Sequence, residues 1–120
     1  MKIELEKNEV VQIEIAHSSC PIEEIRDLMP LDELLAQLAE EASELAQAAL
    51  KLRRTLTDMN PTPVTRKQAE DGLLEEIADV KLCLHVGGFE RVRDKIQVNR
   101  IISAKAERWL KRLEEVQHGG

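Results

Sequence analysis

The chain has 120 residues, 42% of which are hydrophobic, and Phe89 and Trp109 are its two aromatic residues. This length suits one domain, and a core built mainly of Leu, Ile, Val and Ala favours helices. The formal net charge of -6 excludes a protein that coats a nucleic-acid polymer, because such binding needs an excess of Lys and Arg to neutralise phosphates. A small phosphorylated substrate is still compatible with this charge.

The cysteines and the lengths of the apolar segments predict where in the cell the protein is located. Cys20 and Cys83 form neither a CxxC pair nor a zinc motif. No apolar run reaches the length of a membrane span, and no signal-peptide core is found. The sequence therefore predicts a cytoplasmic protein with reduced thiols and without a membrane partner.

Residues 1–30 are predicted to form an N-terminal arm with a short helix. Hydrophobic and polar residues alternate in residues 1–16, which predicts a small β-hairpin, with a helix as the alternative. The segment SSCPIEEI then has the features of a helix start, with Pro21 in the first turn and Glu23 near the positive end. Pro30 keeps this helix short.

The spacing of apolar residues predicts three longer amphipathic helices. Residues 31–56 carry apolar side chains at alternating steps of four and three, the heptad pattern of a helix with one apolar seam. A proline-containing loop ends this helix, and a capping-box pattern at Thr65 and Gln68 begins the next, which a Gly-Gly pair ends. The third helix is predicted at residues 91–116. The seam residues are Leu31, Leu35, Leu38, Ala42, Leu45, Ala49, Leu52 and Leu56 in the first helix, Leu73, Ile77, Val80 and Leu84 in the second, and Ile102, Ala106, Trp109, Leu113 and Val116 in the third.

Acidic residues occupy equivalent places beside the first two seams. When the seam positions are named a and d of the heptad, Glu41 is a g position and Glu44 a c position, on one flank of the first seam. Glu76 and Asp79 hold the same g and c positions in the second helix. Antiparallel packing of the two helices would bring both acidic pairs together.

Two interpretations of these charges stay open. Glu40 and Glu75 are f positions that point outward, and solvated helix edges would explain the neighbouring acidic pairs as well. Alternatively, the four flank carboxylates hold a hard divalent cation, which removes their mutual repulsion. Lys105 and Arg108 flank the third seam, either as solvated charges or as a clamp for phosphate oxygens. Lys51 continues the acidic flank of the first helix.

Three segments resemble the motifs of MazG-like nucleotide pyrophosphohydrolases, a family in the all-α NTP pyrophosphatase superfamily. LAEEASELAQAALKLRR and LLEEIADVKLCL are similar to the EExxE…EExxD signature, and KAERWLKRL is similar to the K-x-x-R region near the C-terminus. The resemblance covers about residues 31–115. It implies an all-α domain at residues 31–116, with a tail at 117–120, in which helical hairpins from two or four identical chains complete a four-helix-bundle-like core.

The resemblance also implies an activity and its residues. The reaction is hydrolysis of a nucleoside triphosphate, NTP or dNTP, to a monophosphate and pyrophosphate, as housekeeping of the nucleotide pool. The matching residues are Glu41, Glu44, Glu76 and Asp79 for Mg²⁺, with Mn²⁺ as a substitute, and Lys105 and Arg108 for the phosphates. We add Lys51 as a substrate-binding candidate from its place on the acidic flank. Glu44 is the first candidate for a general base that takes a proton from water.

Two other classes also fit acidic helices. Di-iron and di-manganese carboxylate bundles use Glu-x-x-His motifs, whereas Glu44 and Asp79 stand where this motif would have His. The alternative that the sequence leaves open is a non-catalytic helical module that forms oligomers and keeps a vestigial metal site.

Overall fold

A computed structural model describes residues 21–57 and 63–119, and within these ranges the chain is α-helical without a strand. The helices are α1 (Pro21–Leu28), α2 (Leu31–Thr55), α3 (Arg66–Val86) and α4 (Val92–Gly119). The predicted all-α class is confirmed, whereas the predicted β-hairpin lies outside the described residues. None of the four helices has an apolar stretch long enough to cross a membrane.

The helix ends lie where local chemistry predicts them. α1 starts at Pro21 and has two glutamates in its first turn, where negative charge stabilises the helix dipole. The capping box of α3 is present, because the Gln68 N–H donates to Thr65 Oγ1 over 3.1 Å and the Thr65 N–H donates to Gln68 Oε1 over 2.9 Å. Gly88, just after α3, has φ +74°, a conformation that glycine adopts without strain.

α2 and α3 pack side by side as an antiparallel hairpin. Leu34 near the start of α2 shares a buried cluster with Cys83 and Val86 at the end of α3. Further along α2, Ala48 lines the same pocket as Ala69, which belongs to the first turn of α3. Residues of the two helices therefore meet in reverse order, as the convergence of the acidic pairs requires.

The packed face of this hairpin is rotated from the predicted a/d seam toward the g positions. In α2 the d positions from Leu38 onward are half-buried whereas Leu31 is exposed, the g positions are buried or half-buried, and the a positions are exposed. These positions are Leu38, Leu45 and Leu52 for d, Leu34, Glu41 and Ala48 for g, and Leu35, Ala42, Ala49 and Leu56 for a. Two packed helices cover only one strip of each other, and the small g residues Ala48 and Ala69 allow a close approach on that side.

α1 covers one end of the hairpin. Arg26 Nε donates to the Val86 carbonyl oxygen over 2.8 Å, and Arg26 Nη2 donates to the His85 carbonyl oxygen over 2.7 Å. These carbonyls belong to the last turn of α3, where intrahelical donors are lacking and a cation is favourable. Ile22 of α1 packs with Met29 on the buried cluster of Leu34, Cys83 and Val86.

The chain divides into two units at Gly87 and Gly88. The first unit contains α1, α2 and α3, and the second contains α4. Every residue of α4 from Lys95 to His118 is exposed, including the residues of its predicted seam. Trp109, for example, is 63% exposed. The predicted domain limits at residues 31 and 116 stay a prediction.

Candidate metal centre

The two acidic pairs converge in the middle of the α2–α3 hairpin. Glu41 and Glu44 lie one helical turn apart on α2, and Glu76 and Asp79 are related in the same way on α3. Each residue offers one carboxylate oxygen such that these four atoms all lie within 4.8 Å of one another. The outward Glu40 is exposed and stands outside this carboxylate cluster, as its f position predicts.

Two oxygens of the carboxylate cluster are buried without a hydrogen-bond donor among the described residues. They are Glu41 Oε2 and Glu76 Oε2. The other oxygen of Glu41, Oε1, accepts a 2.8 Å hydrogen bond from Gln37 Nε2 one turn earlier on α2. Buried carboxylate oxygens without a partner cost stability, and a bound cation is one way to satisfy them.

The electrostatics of the carboxylate cluster disfavour four negative charges. Burial raises the pKa of Glu41, and the charges of Glu44 and Asp79 raise it further, while the Gln37 hydrogen bond lowers it. Burial likewise raises the pKa of Glu76, with added repulsion from Glu44, Asp79 and Glu41. A cation bound here would reverse these effects, because opposite charge favours the ionised form.

The donor set suits a hard divalent cation. Mg²⁺ and Mn²⁺ prefer oxygen ligands from carboxylates and water, and the four ligand residues of the carboxylate cluster are all Asp or Glu. Ligands on opposite sides of Mg²⁺ lie roughly 4 Å apart, and the four oxygens all lie within 4.8 Å of one another. Di-iron bundles use histidine ligands as well as carboxylates, whereas the cluster found among the described residues contains no histidine.

A pocket of about 600 Å³ adjoins the carboxylate cluster between the C-terminal half of α2 and the N-terminal half of α3. Glu44 and Glu76 belong to both the pocket wall and the cluster. Lys51 lies on the wall too, so the predicted substrate-binding cation of α2 shares a pocket with two of the predicted metal ligands.

The other two predicted phosphate-binding residues lie in the second unit. Lys105 and Arg108 are exposed on α4 and line a surface depression together with Trp109, Lys111 and Arg112 of the same helix. The described residues of α4 therefore present a basic surface beside an exposed indole ring. The predicted role of Lys105 and Arg108 in phosphate binding stays a prediction.

Comparison of the chain with protein-family models, with curated proteins and with solved structures finds no match. The likeness to MazG-like enzymes therefore depends on the motif residues alone.

Three residues near the carboxylate cluster were not predicted from the sequence. Gln37 lies four residues before Glu41, a spacing that places two side chains on the same side of a helix. Arg54 lines the pocket three residues after Lys51, and a spacing of three also places two side chains on the same side of a helix, so it could have identified Arg54. Gly72, in the middle of α3, also lines the pocket, and a Cβ atom there would meet nothing within 4 Å.

Proposed function

We propose that this protein is a Mg²⁺-dependent nucleoside triphosphate pyrophosphohydrolase, which converts NTP or dNTP and water to the monophosphate and pyrophosphate. The observation that carries the proposal is the convergence of four carboxylates, two of whose oxygens are buried without a hydrogen-bond partner in the described part of the chain. The resemblance of the motifs to MazG-like enzymes supports the choice of reaction. Such an enzyme would act in the cytoplasm on the nucleotide pool.

The roles of the residues follow from their places in the hairpin. Glu41, Glu44, Glu76 and Asp79 would hold Mg²⁺, which when bound neutralises the polyphosphate and makes water more acidic. Glu44 is exposed and lies on both the carboxylate cluster and the pocket wall, so it can accept the proton of the attacking water. The water oxygen forms the new bond to the α phosphorus, and the pyrophosphate leaves with the bridging oxygen. Lys51, Lys105 and Arg108 would offset the charge of the phosphates.

We further propose that the active form is a homodimer or homotetramer. The a positions of α2 and the predicted seam of α4 are apolar and exposed in the single chain. A second copy that covers them would complete a four-helix arrangement.

The reaction type is tested by incubating the protein with a panel of nucleoside triphosphates and Mg²⁺ and by identifying the products by chromatography. The expected products are a monophosphate and pyrophosphate. Formation of a diphosphate and free phosphate would refute the proposed bond cleavage.

The site is tested with paired variants. Glu41→Gln and Asp79→Asn should each abolish turnover and leave a folded helical protein, because these charges serve the cation and contribute little to the core. Glu40→Gln is the matched control, since it changes the adjacent, outward glutamate. Equal damage from Glu40→Gln and Glu41→Gln would show that the carboxylate cluster is not the active site.

The second candidate is a non-catalytic oligomeric module with a vestigial metal site. The exposed apolar side chains of α4, with Trp109 at 63% and Val116 at 72% exposure, favour it. Absence of turnover on the whole nucleotide panel, together with a Mg²⁺-dependent change in oligomeric mass, would support this candidate over the enzyme.

A further inference from the structure

We propose that Lys51 and Arg54 of α2 form a subsite for a pyrophosphoryl group, namely the two terminal phosphates of the substrate and afterwards the pyrophosphate product. The proposal rests on the proposed function. It specifies that the leaving group lies in the pocket on the Lys51 side of the carboxylate cluster. It also adds a binding residue, Arg54, that neither the motifs nor the heptad pattern identify.

The first support is geometric. Lys51 and Arg54 are three residues apart, so their side chains leave α2 on the same side. Both line the pocket of about 600 Å³ whose wall includes Glu44 and Glu76. A polyphosphate bound at the carboxylate cluster could therefore extend into this pocket and reach both cations.

The second support is that the Arg54 guanidinium is half-buried without a partner among the described residues. Arg54 is half-buried, yet it has no ion pair and no side-chain hydrogen bond with any described residue. Arg66 and Lys67 at the start of α3, by contrast, pair with Glu70 and Asp71 at 3.0 and 2.7 Å. A half-buried guanidinium with five donors and no ion pair among the described residues suits a ligand with several acceptor oxygens.

The lining of the pocket favours phosphate over a nucleobase. None of the described residues that line it is aromatic, so a base would find no ring on which to stack. Gln47 and Gln68 line it as well, and because Gln68 Oε1 is engaged by the Thr65 N–H, its amide nitrogen is the group left to donate. On the facing helix, Gly72 leaves open space where a side chain would stand.

An arginine near the end of α2 could also serve only to stabilise the helix, and the test must distinguish this role from phosphate binding. Cations in the last turn of a helix stabilise its dipole, and both Arg53 and Arg54 belong to the last turn of α2. Arg53 is exposed and does not line the pocket. Arg53→Gln therefore removes the same charge from the same turn without touching the proposed subsite, which makes it the matched control.

The experiment measures the binding of inorganic pyrophosphate and the hydrolysis of a nucleoside triphosphate by the full chain, both with Mg²⁺. Calorimetric titration gives the affinity for pyrophosphate, and steady-state kinetics give KM and product inhibition. Because charge-assisted hydrogen bonds to a phosphate are lost, Arg54→Gln should weaken pyrophosphate binding and raise KM, each about tenfold or more. Lys51→Gln should act in the same direction, and Arg53→Gln should stay within about twofold of the wild type.

Each outcome decides the proposal. Equal pyrophosphate affinity in Arg54→Gln and Arg53→Gln overturns the subsite, even when the wild type hydrolyses triphosphates. Arg54-dependent binding of pyrophosphate in a protein without turnover keeps the subsite and refutes the proposed function. Failure of the wild type to bind pyrophosphate with Mg²⁺ overturns the subsite as well. Helix content measured by circular dichroism confirms that each variant is folded.

Discussion

Glu41→Gln should remove the stabilisation of the fold by Mg²⁺ while leaving the metal-free protein as stable as the wild type or more so. The amide has nearly the same shape, and its oxygen can still accept the hydrogen bond from Gln37. One of four converging negative charges disappears, so repulsion within the carboxylate cluster falls. A ligand of the proposed cation disappears with it.

The size of the effect follows from binding linkage and chain length. At a Mg²⁺ concentration about a hundred times the Kd, a ligand that binds only the folded state adds about 2.7 kcal/mol to the free energy of unfolding. For a chain of this size each kcal/mol is about 5 °C in Tm, so the wild type should gain about 13 °C. A variant whose affinity is about a hundredfold weaker would gain only about 0.4 kcal/mol, or about 2 °C, at the same concentration.

Thermal unfolding is followed by circular dichroism, once with a chelator and once with Mg²⁺. The first measurement gives the Tm of the metal-free protein, and the difference between the two gives the stabilisation by Mg²⁺. Glu40→Gln is the control, because it removes an equal charge from the adjacent exposed position and should keep the full Mg²⁺ response. A full response in Glu41→Gln, or an equal loss in Glu40→Gln, would refute cation binding at the carboxylate cluster.

Three further predictions concern stability and assembly. Because the pKa values of Glu41 and Glu76 are raised from 4.5 on folding, these two groups should stabilise the metal-free protein below that pH, and their contribution should be lost as pH rises through the raised values. Denaturant titrations should show this loss, and saturating Mg²⁺ should remove it. Gly72→Ala should add about 0.5–1 kcal/mol to the free energy of unfolding, since its Cβ meets nothing within 4 Å; a lower stability would contradict this. Light scattering should give the mass of a dimer or tetramer, and Leu35→Lys, on the exposed a face of α2, should reduce it; a monomeric mass at a fully active concentration would refute the oligomer.

Local signals explain why the helices were predictable. Pro21, the Thr65–Gln68 capping box and the Gly87–Gly88 pair act through their own backbone neighbours, so their effects are the same whatever packs against the helix. The convergence of the acidic pairs was predictable because both have the same relation to the apolar pattern of their helices.

The rotation of the packed face could not be predicted, because at two of the adjacent g and a pairs the residues are identical in the sequence. Leu34 and Leu35 are both leucine and Ala48 and Ala49 are both alanine, so apolar spacing alone does not decide which of each pair is covered. The choice depends on the partner helix, and in the single chain the g side is the one that packs. Arg54 was missed for a related reason, since its role depends on the pocket that the two helices form.

The burial of Cys83 beneath α1 gives the protein a chemical reporter of local opening. The thiol is 7% exposed and shares its cluster with Ile22 and Met29, which lie on the α1 side. A thiol reagent can therefore reach Cys83 only when this end of the hairpin opens, and in a Cys20→Ser background the labelling rate measures the free energy of that opening. Releasing the Arg26 contacts to the last turn of α3 should accelerate labelling while the rest of the hairpin stays folded. The free energy of opening at this end of the hairpin can thus be measured with one native cysteine, without any nucleotide or metal.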